Sequence, residues 1–166
     1  MESYRPRVIL SAAISLDGKI ATRTGDSKLS SQRDKIRVHK LRSKFDAILV
    51  GKNTLEIDDP LLTARGVKGK NPVRVILDSR ATIHKNSKIL RSCSKIPTII
   101  VISKMAKKKN LEKLKKFPVM VKVCGNNKIN IKNLLKFLKE KKIKNILVEG
   151  GGITNWSFVK ENLVDE

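Results

Sequence analysis

The sequence predicts an α/β fold with a mostly parallel central sheet and helices on both faces. Short apolar blocks recur along the 166 residues, and segments with helical spacing separate them. Strands that alternate with helical segments of about 10–15 residues are joined by crossover connections, which favour parallel strands. Ligands bind such sheets beyond the carboxyl ends of the strands. Polar residues that follow strands are therefore the first candidates for a functional site.

Six apolar runs are predicted to form the strands. The first, Arg7–Ile14, contains consecutive apolar residues, as expected of a strand that is buried on both faces. The other five are Ala47–Val50, Val73–Leu77, Thr98–Ile102, Val119–Val123 and Ile146–Val148.

Helical patterns lie between these runs. Ser30 or Ser31 is predicted to cap a helix that continues to about Ser43. A second helix, around Leu111, is predicted to continue until Pro118 breaks it. A third helix is predicted to turn Leu134, Leu135 and Leu138 inward. Thr154 or Asn155 is predicted to cap the last helix.

The chain is strongly basic, with a formal net charge of +22. Fifteen lysines and only two acidic residues lie between Lys104 and Lys144. A basic stretch of this kind can bind nucleic acid, but its two aromatic residues fall on apolar faces and no nucleic-acid-binding motif is present. We interpret the stretch as lysine-rich, solvated helix faces, which also attract small phosphorylated compounds. Nucleic acid is not the expected partner.

Composition also bears on the cellular compartment. No segment approaches the roughly 18 apolar residues of a membrane span, and no signal-peptide pattern is present. The two cysteines, Cys93 and Cys124, form no C-x-x-C pair and are predicted to be thiols in a reducing compartment. The chain contains no linker and no internal repeat. We therefore expect a cytoplasmic protein whose residues 1–166 form a single domain.

The most informative motif is Glu149 followed by Gly150, Gly151 and Gly152, directly after the last predicted strand. Backbone N–H groups in such a loop can approach a phosphate at the start of a helix. The alternative is a tight turn that requires glycine conformations. Glu149 leaves a buried strand, so its carboxylate is expected to meet a polar ligand or a backbone donor. The alternative is a structural hydrogen bond to a neighbouring loop.

Three further polar clusters follow predicted strands: Asp17-Gly18, Asp58-Asp59-Pro60 and Asp78-Ser79. The Asp58-Asp59-Pro60 cluster either stops a helix or places a carboxylate where it orients a cofactor amide or ribose. Asp17 is alternatively the residue that forms a turn. His39 lies in a basic helix and is interpreted as a surface or packing residue rather than a base. With two isolated histidines, no metal site is expected.

Five stretches in order resemble the riboflavin-biosynthesis reductases: Ser15–Lys19, Gly51–Thr63, Asn71–Val75, Asp78-Ser79 and Leu147–Gly152. This family includes the archaeal and fungal 2,5-diamino-6-ribosylamino-4(3H)-pyrimidinone 5′-phosphate reductases and the reductase half of the bacterial bifunctional deaminase-reductases. The resemblance covers essentially the whole chain. It implies a dihydrofolate-reductase-like fold, a homodimer, and NADPH-dependent reduction of the ribosylamino side chain to the ribitylamino product. In that reaction, hydride is transferred to C1′ of the ring-opened imine.

The resemblance also implies roles for particular residues. Cofactor contacts are expected from Thr54 or Leu55, Asp59, the turn of Ser79, Arg80, Ala81 and Thr82, the loop around Asn127, and Gly150, Gly151 and Gly152. Substrate contacts are expected from Ser27, Arg42, Leu62, Arg65 and Glu149. Arg80 is the candidate partner of the cofactor 2′-phosphate, and Arg42 and Arg65 are the candidates for the substrate 5′-phosphate. Asp59 and Glu149 would position the reactants, because the cofactor supplies the difficult chemistry.

Family members continue beyond a stretch like Val164–Glu166 with further strands. We therefore expect a domain whose C-terminal strands are missing, with an open sheet edge. Three alternatives stay open: a dihydrofolate or pteridine reductase of the same fold, a basic nucleic-acid-binding protein, and a remnant that binds NADP without turnover.

Overall fold

A computed structural model describes residues 4–23, 29–66 and 69–166. Within these ranges the chain alternates between six strands and six helices. The strands are β1 (Arg7–Leu10), β2 (Ala47–Gly51), β3 (Val73–Leu77), β4 (Thr98–Ile102), β5 (Met120–Val123) and β6 (Asn145–Gly150). The helices are α1 (Gln32–Arg42), α2 (Lys52–Asp58), α3 (Lys88–Arg91), α4 (Lys108–Leu114), α5 (Ile131–Glu140) and α6 (Gly152–Lys160).

The strands form one sheet in the order β1-β6-β2-β3-β4-β5, and every neighbouring pair is parallel. All six strands therefore end at the same edge of the sheet, which we call the carboxyl edge. The last strand in sequence, β6, lies between β1 and β2, so the loops that follow β6 and β2 are neighbours. The predicted α/β class and the parallel sheet are confirmed.

Two apolar cores cover the two faces of the sheet. On one face, Leu134, Leu135 and Leu138 of α5 and Phe158 of α6 pack against side chains of the strands. The inward orientation predicted for the three leucines is confirmed, and all three are fully buried. On the other face, residues of α2, α3 and α4 form the core, with Leu41 of α1 packed against it. Helices thus cover both faces, as predicted.

Some element boundaries differ from the prediction. The first strand ends at Leu10 rather than Ile14, because the chain leaves the sheet and enters a turn closed by an N–H bond from Gly18 to the carbonyl oxygen of Ser15. The last helix begins at Gly152 and its cap is Gly151, three residues before Thr154, the earlier of the two predicted caps. Its cap is a glycine with no side chain, so the capping pattern that marks other helix starts is absent from the sequence.

The helix stop that was one of two interpretations of Asp58-Asp59-Pro60 is observed, because α2 ends at Asp58 and Asp59 is its C-cap. The start of α2 and the whole of α3 were not predicted, because four to seven residues are too few to show a helical period. The helix predicted up to Pro118 ends at Leu114. The start of α1 is confirmed: the Ser31 hydroxyl accepts a hydrogen bond from the Asp34 N–H.

The lysines of α4 are exposed, and those of α5 are exposed or half-buried. This arrangement agrees with the interpretation of the basic stretch as solvated helix faces. The ammonium groups of Lys122 and Lys141 lie 4.5 and 5.8 Å from the ring centre of Phe137. No helix among the described residues is long and apolar enough to cross a membrane.

Arg74 on β3 is a fully buried cation. Its guanidinium donates to the hydroxyls of Thr98 and Ser92, at distances of 2.7 and 2.8 Å. It also donates to three carbonyl oxygens, those of Leu61, Ile89 and Ile96. Burial lowers the pKa of Arg74 to about 10, which leaves it protonated at neutral pH. One side chain therefore ties β3 to β4, to α3 and to the loop after α2.

Replacing Arg74 with Met is expected to lower the free energy of unfolding by about 3 kcal/mol, because several buried acceptors lose their donor. Urea-induced unfolding measures this change, and Arg91→Met, at an exposed position on α3, is the control. Unchanged stability of Arg74→Met would mean that the desolvation of the guanidinium cancels its hydrogen bonds.

Candidate active site at the carboxyl edge

The residues expected to contact a cofactor are distributed along the carboxyl edge of the sheet. The glycine loop follows β6, Thr54 follows β2, Ser79–Thr82 follows β3, and Asn127 follows β5. With a strand spacing of about 4.8 Å, the distance from β6 to β5 is about 19 Å. Only an extended ligand that lies across the strand ends can contact the whole set.

The glycine loop, residues 150–152, connects β6 to α6 and contacts α2, the helix that follows the neighbouring strand β2. Gly150 adopts a φ of 111°, which disfavours any side chain, and Gly151 is the cap of α6. The Gly151 N–H donates to the hydroxyl oxygen of Thr54, at 3.0 Å. Thr54 and the glycines, which are 97 residues apart in sequence, are therefore in direct contact.

Gly51 allows β2 and α6 to approach closely. A Cβ atom at this position would lie 2.4 Å from the hydroxyl oxygen of Thr154, a buried residue of α6. At Gly151, a Cβ atom would lie 3.2 Å from the Thr54 hydroxyl. Gly51 and Gly151 are thus required for packing, whereas the positive φ of Gly150 is the feature that the tight-turn alternative supposes. The same packing leaves the first turn of α6 without a side-chain cap, which favours an anion there.

Glu149 lies in a β-bulge. Leu49 of β2 pairs with Val148 and the next residue, Val50, pairs with Gly150, so Glu149 is an extra residue in β6. Its carboxylate forms a two-pronged ion pair with Arg42 at the end of α1, with distances of 2.8 and 2.7 Å. Both side chains are nearly nine-tenths buried. The donor to the Glu149 carboxylate is therefore the side chain of Arg42, and not the backbone group that was one of the expectations.

The loop that follows α2, residues 59–65, has a strained backbone. Asp59 and Leu62 adopt φ values of 38° and 50°, and each such residue costs on the order of 1 kcal/mol. The Asp59 carboxylate accepts a hydrogen bond from the Lys88 N–H, at 2.9 Å, and so caps α3. The Thr63 carbonyl oxygen accepts from Arg42, at 3.2 Å. The loop is held at both ends by residues of other elements.

The loop after β3 is organised by a buried carboxylate. Asp78 accepts hydrogen bonds from the Ile83 N–H and the Thr82 hydroxyl, at 2.7 and 3.3 Å. Ala81 adopts a φ of 55° inside this loop. Arg80 is exposed, and its carbonyl oxygen accepts from the side chain of Asn110. Asp78 thus folds the loop, and the Arg80 side chain on it is exposed to solvent.

The remaining expected site residues differ in their surroundings. The side chains of Leu55, Leu62 and Ala81 are buried in the core, so their contacts with a ligand would involve backbone atoms. Asn127 and Arg65 are exposed. Ser27 lies outside the described residues. Among those residues, no group of three His, Cys, Asp or Glu side chains is placed to hold a metal ion.

The sequence patterns predicted neither a role for His39 at this edge nor the β-bulge at Glu149. His39 Nδ1 lies 2.8 Å from the Thr63 carbonyl oxygen and 3.3 Å from the backbone nitrogen of Arg65. The spacing of His39 and Arg42 could have indicated that both contact the same segment, because residues three apart share one face of a helix. The positive φ of Gly150 accompanies the bulge, but three consecutive glycines do not by themselves predict one.

Comparison with known proteins gives consistent matches. Residues 6–166 match the family described as the RibD C-terminal domain. The chain is 42% identical over 165 residues to 2,5-diamino-6-ribosylamino-4(3H)-pyrimidinone 5′-phosphate reductase of Methanothermobacter thermautotrophicus. The match covers 98% of this chain and 75% of that protein. It is 40% identical over 167 residues to the Aquifex aeolicus protein of the same name, with 98% and 74% covered.

A solved structure shares the same fold. The deaminase and 5-amino-6-(5-phosphoribosylamino)uracil reductase of Thermotoga maritima superposes with a TM-score of 0.77 and 32% sequence identity. The match covers 95% of this chain and 42% of the Thermotoga maritima chain. The chain therefore corresponds to less than half of that larger protein.

Replacing Gly51 with Ala is expected to destabilise the protein by about 2 kcal/mol, because the added Cβ overpacks against Thr154. The same substitution in a Thr154→Ala background is expected to cost less than half as much. A double-mutant cycle in urea measures the coupling between the two positions. Strictly additive effects would show that the hydroxyl of Thr154 is not what excludes a side chain at position 51.

Proposed function

The chain belongs to the RibD C-terminal domain family, which confirms the resemblance carried by its motifs, and we propose that it is a pyrimidine reductase of riboflavin biosynthesis. The substrate is 2,5-diamino-6-ribosylamino-4(3H)-pyrimidinone 5′-phosphate, and the product carries a ribitylamino side chain. The observation that supports this most is the juxtaposition, at the end of β6, of a glycine loop and the Arg42–Glu149 ion pair. The carboxyl edge would therefore bind a dinucleotide at the glycine loop and the charged substrate beside it, at the ion pair.

The residues at this edge fit a nicotinamide dinucleotide, and we propose NADPH as the cofactor. The glycine cap of α6 leaves room for backbone N–H groups to approach a phosphate. Arg80, exposed after β3, is the proposed partner of the 2′-phosphate, because a guanidinium matches a phosphate dianion. When bound, the reduced cofactor supplies a hydride for C1′ of the ring-opened substrate.

The protein itself binds and orients the substrate. Arg65 is exposed on the loop after α2 and would hold the 5′-phosphate. Within the part of the chain that is described, Arg42 uses three of its five N–H groups for Glu149 and Thr63, so the other two would reach a phosphate oxygen. The same ion pair fixes the Glu149 carboxylate in one orientation, from which it would accept a substrate hydrogen bond. Fixed polar groups of this kind reduce the entropy lost in bringing the reactants together.

We further propose that residues 1–166 act as one reductase domain in the cytoplasm, where the free thiols of Cys93 and Cys124 stay reduced. A homodimer is proposed as well, as the family resemblance implies. Exposed apolar side chains of α6 support self-association: Ile153, Trp156 and Val159 lie on one side of the helix.

Steady-state oxidation of NADPH, followed by absorbance, tests the proposed function directly. Turnover with the ribosylamino pyrimidine phosphate but not with dihydrofolate would support it, and the reverse would establish the pteridine reductase alternative. NADPH binding without any turnover would identify a remnant. Tight, salt-sensitive binding of oligonucleotides with no response to NADPH would favour the nucleic-acid alternative.

Replacing Arg65 with Ala is expected to raise the KM for the pyrimidine phosphate about tenfold or more, because a hydrogen bond to a charged phosphate is lost. The dissociation constant of NADPH is expected to stay unchanged. Initial rates over a range of substrate, with Arg91→Ala as a remote control, provide the measurement. Equal weakening of substrate and cofactor binding would contradict the assignment of Arg65 to the substrate.

Replacing Arg80 with Ala is expected to raise the KM for NADPH about tenfold and to leave the KM for NADH unchanged, because only NADPH carries the 2′-phosphate. The two cofactors are compared at saturating pyrimidine substrate. An equal effect on both cofactors would place Arg80 away from the 2′-phosphate.

A further inference from the structure

His39 has one ring nitrogen between two backbone groups of the loop after α2. Nδ1 is 2.8 Å from the Thr63 carbonyl oxygen and 3.3 Å from the backbone nitrogen of Arg65. His39 lies on α1, one turn before Arg42, which donates to the same Thr63 carbonyl. The last turn of α1 is thus bound to the loop through two side chains.

Either tautomer of His39 binds this loop. With the proton on Nδ1, the ring donates to the Thr63 carbonyl, which then accepts two hydrogen bonds. With the proton on Nε2, Nδ1 accepts from the Arg65 N–H, and Arg42 alone donates to Thr63. The shorter distance favours the first arrangement. In both arrangements, His39 ties α1 to a backbone group within two residues of the Arg65 side chain.

The loop needs such ties because its conformation is not intrinsically stable. Leu62 has a positive φ, and the buried hydroxyl of Thr63 has no hydrogen-bond partner in the part of the chain that is described. Arg74 holds the Leu61 carbonyl from inside the core, and Asn71 accepts from the Ala64 N–H. Those ties end one residue before Arg65, whose own N–H faces His39.

We propose that His39 is a positioning residue for substrate binding: it holds Thr63–Arg65 against α1 so that the Arg65 guanidinium meets the substrate 5′-phosphate. This inference rests on the proposed function for the role of Arg65, but the restraint of the loop by His39 stands on geometry alone. In this proposal His39 acts through the loop and not on the substrate or the cofactor directly, so its effect is confined to the affinity for the pyrimidine phosphate.

Two isosteric variants isolate the hydrogen bond. His39→Leu removes the polar atom at the position of Nδ1, whereas His39→Asn has nearly the same shape and keeps a group there that donates or accepts. Hydrogen–deuterium exchange of the peptide containing residues 61–66 reports on the loop without any substrate. Steady-state kinetics with the pyrimidine phosphate and NADPH report on function.

His39→Leu is expected to speed exchange at Thr63–Arg65 and to raise the KM for the pyrimidine phosphate about fivefold, the equivalent of one neutral hydrogen bond. Its kcat and its KM for NADPH are expected to stay within twofold of the unsubstituted protein's values, on the order of measurement scatter. His39→Asn is expected to restore slow exchange and the lower KM. This pattern separates positioning from a general loss of stability.

The outcomes distinguish this inference from the proposed function. Unchanged exchange in His39→Leu overturns the inference whatever the kinetics show. Faster exchange with no change in the KM for the pyrimidine phosphate, or with an equal rise for NADPH, overturns the link to substrate binding. If the unsubstituted protein does not reduce the pyrimidine phosphate, the proposed function fails. The exchange data then still decide whether His39 holds the loop.

Discussion

The constraint on which the structure depends is the burial of a parallel sheet on both faces. Strands β2 and β4 are surrounded by apolar side chains, so they cannot carry the polar groups of a site without a large desolvation cost. Polar chemistry is therefore displaced to the carboxyl edge. Because every pair of strands is parallel, the loops after β6, β2 and β3 meet there. The placement of β6 between β1 and β2 brings the glycine loop beside Thr54.

Two buried arginines give the loops of this edge fixed positions. Arg74 holds the Leu61 carbonyl from within the core, and Arg42 holds the Thr63 carbonyl while it neutralises Glu149. Each guanidinium offers several donors in a rigid plane, so one side chain restrains several segments at once. The strain at Asp59 and Leu62 persists because these contacts over-determine the loop. Rigidity here is the protein's main contribution to a reaction whose chemistry resides in a cofactor.

The acidic and basic side chains described at this edge are held in contacts within the protein: Glu149 pairs with Arg42, and Asp59 accepts from the Lys88 N–H. A hydride donor and an activated acceptor need alignment and exclusion of water more than proton transfer. Carbonyl groups, glycine turns and paired charges provide alignment. None of these forms a short sequence motif of the kind that marks a hydrolase or a metal enzyme. The arrangement proposed as the site therefore emerges from packing between distant segments, such as Gly151 against Thr54.

The sequence by itself determined the number of strands and their approximate positions along the chain, because buried parallel strands are apolar runs that end at polar loops. It also determined the family, since five motifs in one order are specific together. Only the tertiary structure decided which polar residues meet. The Arg42–Glu149 pair joins residues 107 positions apart, and the contact of His39 with Thr63 depends on where α1 packs. Local sequence also did not show α3, which is too short for a full helical period, or the start of α6, which has no side-chain cap. Local sequence encodes periodicity and turns, whereas contacts between loops depend on strand order, which no local pattern contains.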